Sequence, residues 1–446
     1  MRPSSSPSEG GLFDAVLGRG AVAGEVGDPA WLRAMLDAEA ALARAGATAG
    51  LVPAEAAAAI TAACSGDIDA AALGRDAEAA GNPVVPLVRT LEAACGPDAG
   101  RWVHRGATSQ DILDTALVLV ARRALAVLLP DLDAAADAAA HLARRHRDDP
   151  IAGRTLLQLA QPTTFGLKTA GWAVALDGAV DRLTDVSGRL PVQLGGAVGT
   201  LSALDGRGLA VLEALAAELD LAVPVLPWHT VRLPVADLAG ALGTAAGVIS
   251  KVALDLVLLA QTEVGEVAEG VAGRGGSSAM PHKRNPVAAV SARAGALRAP
   301  GLVAGLLSGM AQEHERAAGA WHAEWQALSD LLRCTGSAAA WLRDALEHLQ
   351  VDTARMRAGL TTAALSAAEV AGALTGALGR SAAHELVARA AAAGGDLRAA
   401  LLAEPDVTAH LGAEQLDELL DAARHVGEAP ALVDRALAAH DRRSRP

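Results

Sequence analysis

Apolar residues recur along most of this chain at the three- and four-residue spacing of a helix face. Leu32, Met35, Leu36 and Leu42 share such a face behind Asp28-Pro29, which reads as an N-cap followed by proline at the first helical position, with Gly46 closing the element. A second helix is expected to begin near Asp111 and run towards Arg147 on Ile112, Leu113, Leu117, Val120, Leu125 and Leu128, with a kink at Pro130. Further long patterns cover residues 163–189, 235–271, 287–315 and 320–350. Several approach about 30 residues, against a mean of roughly 11–12 for globular proteins. Helices of that length, apolar over broad faces, pack as a bundle or as the core of an oligomer. The Val/Ile/Thr alternation of strands is nearly absent, so the expected class is all-α. Residues 1–27 are Ser/Gly-rich and expected to be loose, no internal repeat is visible, and domain boundaries are expected at 1–110, 111–355 and 356–446.

Composition narrows the picture. Alanine, leucine and arginine, all good helix formers, dominate. The net charge of -13 argues against a nucleic-acid partner, which selects a basic face. It leaves room for an anionic substrate where arginines converge on a cleft. Cys64, Cys95 and Cys334 form neither a CxxC pair nor a disulfide framework, so the chain is expected in the cytoplasm, with its thiols as core filler. No apolar segment follows Met1 as in a signal peptide. The longest stretch without a charge or histidine, Leu190–Leu204, falls short of the roughly 20 apolar residues of a spanning helix, so no membrane segment is expected. Lysine occurs only at 168, 251 and 283, which makes the retention of Lys283 informative.

Three segments carry candidate chemistry. Gly275-Gly276-Ser277-Ser278-Ala279-Met280-Pro281-His282-Lys283-Arg284-Asn285-Pro286 joins glycines that admit close backbone approach and two hydroxyls; Gly273–Pro286 holds three cations, Arg274, Lys283 and Arg284, with no acid, and leads into a helix N-terminus. His104-Arg105-Gly106-Ala107-Thr108-Ser109-Gln110-Asp111 ends in hydroxyls that suit a helix cap or an anion. His104 could donate to an anion or shuttle a proton. Gly153-Arg154-Thr155-Leu156-Leu157-Gln158 supplies a further cation and an amide, and Arg232 supplies a planar fork suited to a carboxylate. Arg316, His322 and Glu324 are read as a supporting salt-bridge network, and the acids of Thr262–Val267 either face solvent or order the arginines. His314, Glu315, His322 and Glu324 lack the spacing of a metal site, so neither metal nor cofactor is expected.

The order GSSxMPxKxNP is similar to the signature of the fumarase/aspartase superfamily, and GATSQDI-x-D-T resembles its cycloisomerases more than its adenylosuccinate lyases. The likeness runs from about Trp31 to about Arg333, with no recognised motif in the last hundred residues. It implies three all-α domains whose central bundle builds a homotetramer, with active sites shared between subunits and a mobile loop at 273–286. It implies Ser277 as the proton-transfer residue at carbon, with His104 as competitor. Thr108, Ser109, Arg154, Gln158, Arg232, Ser278, Met280, Lys283 and Asn285 would hold a small polycarboxylate substrate. Amine-releasing members carry histidine where this chain has Leu156. A carboxylate leaving group, with a pKa near 4, leaves without acid assistance, whereas an amine does not. Leu156 thus separates the two reaction classes without identifying the substrate; the resemblance to cycloisomerases implies interconversion of 3-carboxy-cis,cis-muconate and 4-carboxymuconolactone, a step of protocatechuate degradation. A fumarate-forming lyase of the nitrosuccinate type is the alternative, with adenylosuccinate less favoured.

Overall fold

A computed structural model describes residues 11–360, 363–393 and 395–443. The elements that place the candidate residues are, in chain order, α1 (Asp28–Thr48), α2 (Ser109–Arg145), β1 (Pro150–Thr155), β2 (Gln158–Thr164), α3 (Phe165–Gly188), α4 (Leu233–Leu259), β3 (Val267–Glu269), α5 (Val287–Ala296), α6 (Ala299–Ser308), α7 (Ala320–Glu347) and β4 (Leu349–Val351). Shorter helices fill the intervals, and the C-terminus ends in α8 (Ala429–Arg443). Of the expected loose segment, residues 1–10 lie outside the described residues, while Asp14–Leu17 and Val22–Glu25 are short helices.

Helix is the main element, as the periodicity implies, with several differences. β1 and β2 form an antiparallel hairpin, and β3 pairs antiparallel with β4. The hairpin turn is made by Leu156 and Leu157 at φ 52° and 64°, without the Asn-Gly or Asp-Gly pair that signals such a turn. Gly46 does not end α1; it lies inside, where a Cβ would meet Val52 at 2.6 Å, and the helix continues to Thr48. Gly27, not Asp28, occupies the N-cap, with proline in the first turn as expected. α2 begins two residues before Asp111 and runs as one helix through Pro130. α4 stops at Leu259, so Thr262–Val267 is not helical but a turn at Gly265 (φ 62°) leading into β3. The 287–315 pattern divides into α5 and α6, with Pro300 in the first turn of the second.

By length and composition α4 could cross a membrane, with mean hydropathy 1.8 over its most apolar window and 44% of that window buried. It carries Asp237, Lys251 and Asp255, and Trp172 donates its indole N–H to Asp255 at 2.7 Å.

The chain divides into two compact units. The first comprises Met1–Asp133, Gly178–Lys251 and Ser291–Leu342; the second comprises Ala134–Asp177, Val252–Val290 and Arg343–Pro446. In the first, α2 is buried at every position from Gln110 to Ala121. It is a central core helix rather than an amphipathic one, and each leucine there contributes about 1.5–3 kcal/mol of burial. Gly295 of α5 lets the carbonyl of Cys334 on α7 approach to 3.0 Å of where a Cβ would stand. In the second, Val370, Leu374, Leu386, Leu401 and Leu416 form one apolar cluster, and Ala152 of β1 joins Leu360, Leu365 and Ala422 in another. α8 is fastened by Arg147, which grips Asp434 at 2.7 and 2.6 Å.

Candidate active site

Burial of α2 on all sides carries Gln110, Asp111, Asp114 and Thr115 into the interior of the first unit, where polar groups must find partners. Asp111 accepts the amides of Thr108, Gly195 and Gly196, each at 2.9 Å, and lies 2.6 Å from Nε2 of His229. One carboxylate thus ties together the segments around 104–109, 195–200 and 227–232. Hydrogen bonds to a charged group contribute roughly 1.5–3 kcal/mol each. Asp111 thus satisfies the Thr108 amide at the start of α2. Gly106 (φ 78°) packs where any side chain would collide with Leu204, and Gly196 (φ 70°) faces the carbonyl of Gly106.

His104 adopts φ 57°, unusual for a non-glycine residue. Its Nδ1 lies 2.6 Å from Oε1 of Glu39, whose side chain is fully buried on α1. Burial works against protonation of this imidazole, yet the attraction of Glu39 and its hydrogen bond outweigh that cost and raise the pKa. Glu39 therefore favours the protonated form of His104 and anchors it through Nδ1.

Arg232 does not fit the substrate-contacting role expected from sequence. Its side chain has no exposed surface, and its guanidinium is occupied. Nη1 and Nη2 donate to Asp114 at 2.7 and 2.9 Å, while Nε and Nη2 donate to Glu324 at 3.1 and 2.6 Å. Trp321 adds its indole N–H to Asp114 at 3.0 Å, and Gln312 donates to Glu324 at 3.0 Å. Burial pushes the Glu324 carboxyl upward, and Arg232 only partly offsets it. Arg316 does not pair with Glu324; it donates to the Gln110 side chain at 2.7 Å and to the carbonyls of Gly196 and Ala197 at 3.2 and 2.7 Å. His322 packs instead against Trp321 and Trp325.

The second unit holds the other candidates. Arg154 of β1 donates to both oxygens of Glu266, at 3.0 and 2.9 Å, so the acid preceding β3 orders an arginine. This pair leaves the Arg154 side chain a quarter exposed. Gln158 lies opposite Thr155 in the hairpin and is exposed, as is Leu156 at the tip (97%). The segment 275–285 is a closed loop. The Asn285 amide donates to the Gly275 carbonyl at 2.8 Å, its side chain donates to the same oxygen at 3.2 Å, and Gly276 bridges Arg284. Gly275 sits at φ 80°, and a Cβ there would overlap the Asn285 carbonyl oxygen. Inside the loop the Met280 amide donates to the Ser277 hydroxyl at 3.2 Å; Ser278, Met280 and Lys283 are exposed. Among the described residues, no cluster of three or more His, Cys, Asp or Glu is placed to hold a metal ion.

The loop neck, the hairpin and the Thr-Ser turn are thus each held by their own hydrogen bonds. A family described as Lyase matches residues 20–301. The chain belongs to the fumarase/aspartase superfamily. Residues 365–436 match a family described as Adenylosuccinate lyase C-terminus, in the stretch where no motif is recognisable by eye. A nitrosuccinate lyase of Streptomyces davaonensis is 47% identical, over 97% of this chain and 96% of the relative. A 3-carboxy-cis,cis-muconate cycloisomerase of Pseudomonas aeruginosa is 48% identical over 96% of each. The crystal structure of a 3-carboxy-cis,cis-muconate lactonizing enzyme from Pseudomonas putida superposes with a TM-score of 0.90 at 44% identity, covering 97% of this chain and 100% of that one. The superfamily likeness therefore extends well beyond the stretch from Trp31 to Arg333.

Sequence reasoning quoted Asp111 and Asp114 within a motif but gave them no role; their burial depends on α2 being enclosed on all sides. Glu39 carries no sequence signal at all, since it meets His104 across 65 residues of chain.

Proposed function

We propose that this protein interconverts 3-carboxy-cis,cis-muconate and 4-carboxymuconolactone without a cofactor. The observation that carries this reading is the complete GSSxMPxKxNP loop, closed at its neck by Gly275 and Asn285, in a chain 48% identical over nearly its whole length to a protein named for that activity. In the lactonising direction a substrate carboxylate oxygen bonds to an alkene carbon while the adjacent carbon gains a proton. No atom is lost. Ser277 transfers the proton at carbon, and its oxyanion, on the reverse path, is stabilised by loop amides and Lys283 in a closed site. We assign carboxylate binding to Thr108, Ser109, Ser278, Lys283 and Asn285, and to Gln158 and the exposed edge of Arg154. His104, whose protonated form Glu39 favours, supplies positive charge or a competing proton. Arg232 holds the buried acids Asp114 and Glu324 rather than touching substrate.

The protein is further read as a cytoplasmic homotetramer with shared sites. Its three free cysteines and the half-exposed apolar α4, which a partner chain would cover, support this. A second reading, a lyase that forms fumarate from nitrosuccinate, is supported by the 47% identical relative and by Leu156, which suits any weakly basic leaving group. An ultraviolet assay separates the two. Loss of diene absorbance from 3-carboxy-cis,cis-muconate, abolished in a folded Ser277→Ala protein, supports the first reading. A flat trace with muconate and growth of the fumarate band with nitrosuccinate replaces it by the second. Full activity in Ser277→Ala removes that residue from the chemistry.

A further inference from the structure

Glu269 ends β3, and its carboxylate reaches both ends of the signature loop. Oε2 and Oε1 accept the amides of Ala288 and Ala289, at 3.1 and 2.9 Å, in the first turn of α5, which follows directly on the loop. Nε of Arg274, at the loop's beginning, lies 3.4 Å from Oε2. The same guanidinium donates to Asp344 at 2.5 Å. The carboxylate is nearly buried, with 7% of its side chain exposed, and its backbone is fixed because Glu269 lies opposite Leu349 in the β3–β4 pair. Two amide donors and one guanidinium thus face a single acid at a helix N-terminus, where negative charge is favoured. Residues 275–285, carrying Ser277, Lys283 and Asn285, therefore have their flanks joined through Glu269 in addition to the Gly275–Asn285 neck. Three residues earlier Glu266, just before the same short strand, grips Arg154 of the β1–β2 hairpin.

We propose that Glu269 is a positioning residue for the reaction. It does not meet substrate. It sets the separation and direction of the two ends of the loop, and hence where Ser277 and Lys283 arrive when the loop engages substrate. The proposal rests on the reading of 275–285 as the active-site loop. A displacement of about 1 Å in reacting groups lowers rates by about a hundredfold, so a loosened clamp acts on kcat before it acts on the fold.

The test uses full-length Glu269→Gln, nearly the same in volume and retaining one acceptor, and Glu269→Ala. The first readout needs no substrate: the initial rate of tryptic cleavage after Lys283 and Arg284, scaled to cleavage elsewhere in the chain. The second is kcat and KM with whichever acid the unsubstituted protein turns over, and the third is the melting temperature. Loop cleavage about tenfold faster, a kcat about a hundredfold lower with KM changed far less, and a nearly unchanged melting temperature are expected for Ala, with Gln between. Unchanged loop cleavage overturns the clamp. Faster loop cleavage with unchanged kcat overturns the positioning role. Cleavage that accelerates uniformly along the chain with a collapsed melting temperature in both variants makes Glu269 a stabilising residue only, and likewise overturns it. If the unsubstituted protein ignores muconate, the cleavage arm still decides the clamp, so failure of the function reading is seen separately.

Discussion

Replacing Arg232 with methionine is the sharpest test of the interior of the first unit. The substitution keeps a long apolar side chain and removes the only cation between Asp114 and Glu324, whose side chains are each 1% exposed. Five hydrogen bonds vanish with it, two to Asp114 and three to Glu324. Breaking a buried ion pair by deleting one partner costs about 3–5 kcal/mol, because the remaining charge is desolvated without compensation. For a unit of this size that lowers Tm by roughly 6–10 °C. The loss must also depend on pH. Burial already raises the Glu324 carboxyl while Arg232 opposes it, so without the arginine the native state keeps a proton that the unfolded chain releases. With the native state binding more protons, stability falls as pH rises, by about 1.4 kcal/mol per pH unit for each retained proton. The gap to the unsubstituted protein should therefore be wider at pH 8 than at pH 5.5. Differential scanning fluorimetry at several pH values, with kcat and KM alongside, measures this. A variant with unaltered Tm and a KM raised manyfold would refute the reasoning and return Arg232 to the substrate.

Two further substitutions probe the site from other sides. Glu39→Gln removes the charge that lifts the His104 pKa, so the alkaline limb of the kcat/KM profile should move to lower pH; an unmoved limb would exclude the imidazolium from the chemistry. The stability lost in the same variant should be largest in acid. A raised histidine pKa contributes below the ordinary imidazole value, and that contribution disappears as pH climbs through the folded one. Gly275→Ala places a methyl group against the Asn285 carbonyl at φ 80°, and should lower kcat by at least about tenfold while Tm shifts by no more than about 2 °C, because the loop lies outside the core. Retention of full activity would show that the loop neck is not held as described.

Much of the architecture is written in local pattern. The 3.6-residue period, the helix-forming composition and the proline near the start of α1 act within a few turns of chain, so the long helices and the superfamily signature could be read directly. The Ser277–Asn285 order was legible for the same reason, since its glycines, hydroxyls and cations are neighbours in sequence. The β1–β2 hairpin was not, because two leucines in the left-handed region make a turn that local propensity disfavours. Nor could periodicity reveal that α2 is enclosed on every side, which makes hubs of Asp111 and Asp114. Arg232 is the clearest case. A lone arginine in sequence looks like an anion ligand, and only packing shows that Asp114 and Glu324, 118 and 92 residues away, have already engaged its guanidinium. Partners of buried charges are chosen by desolvation across the whole fold, so sequence supplies the charged groups and tertiary structure decides which of them remain available for chemistry.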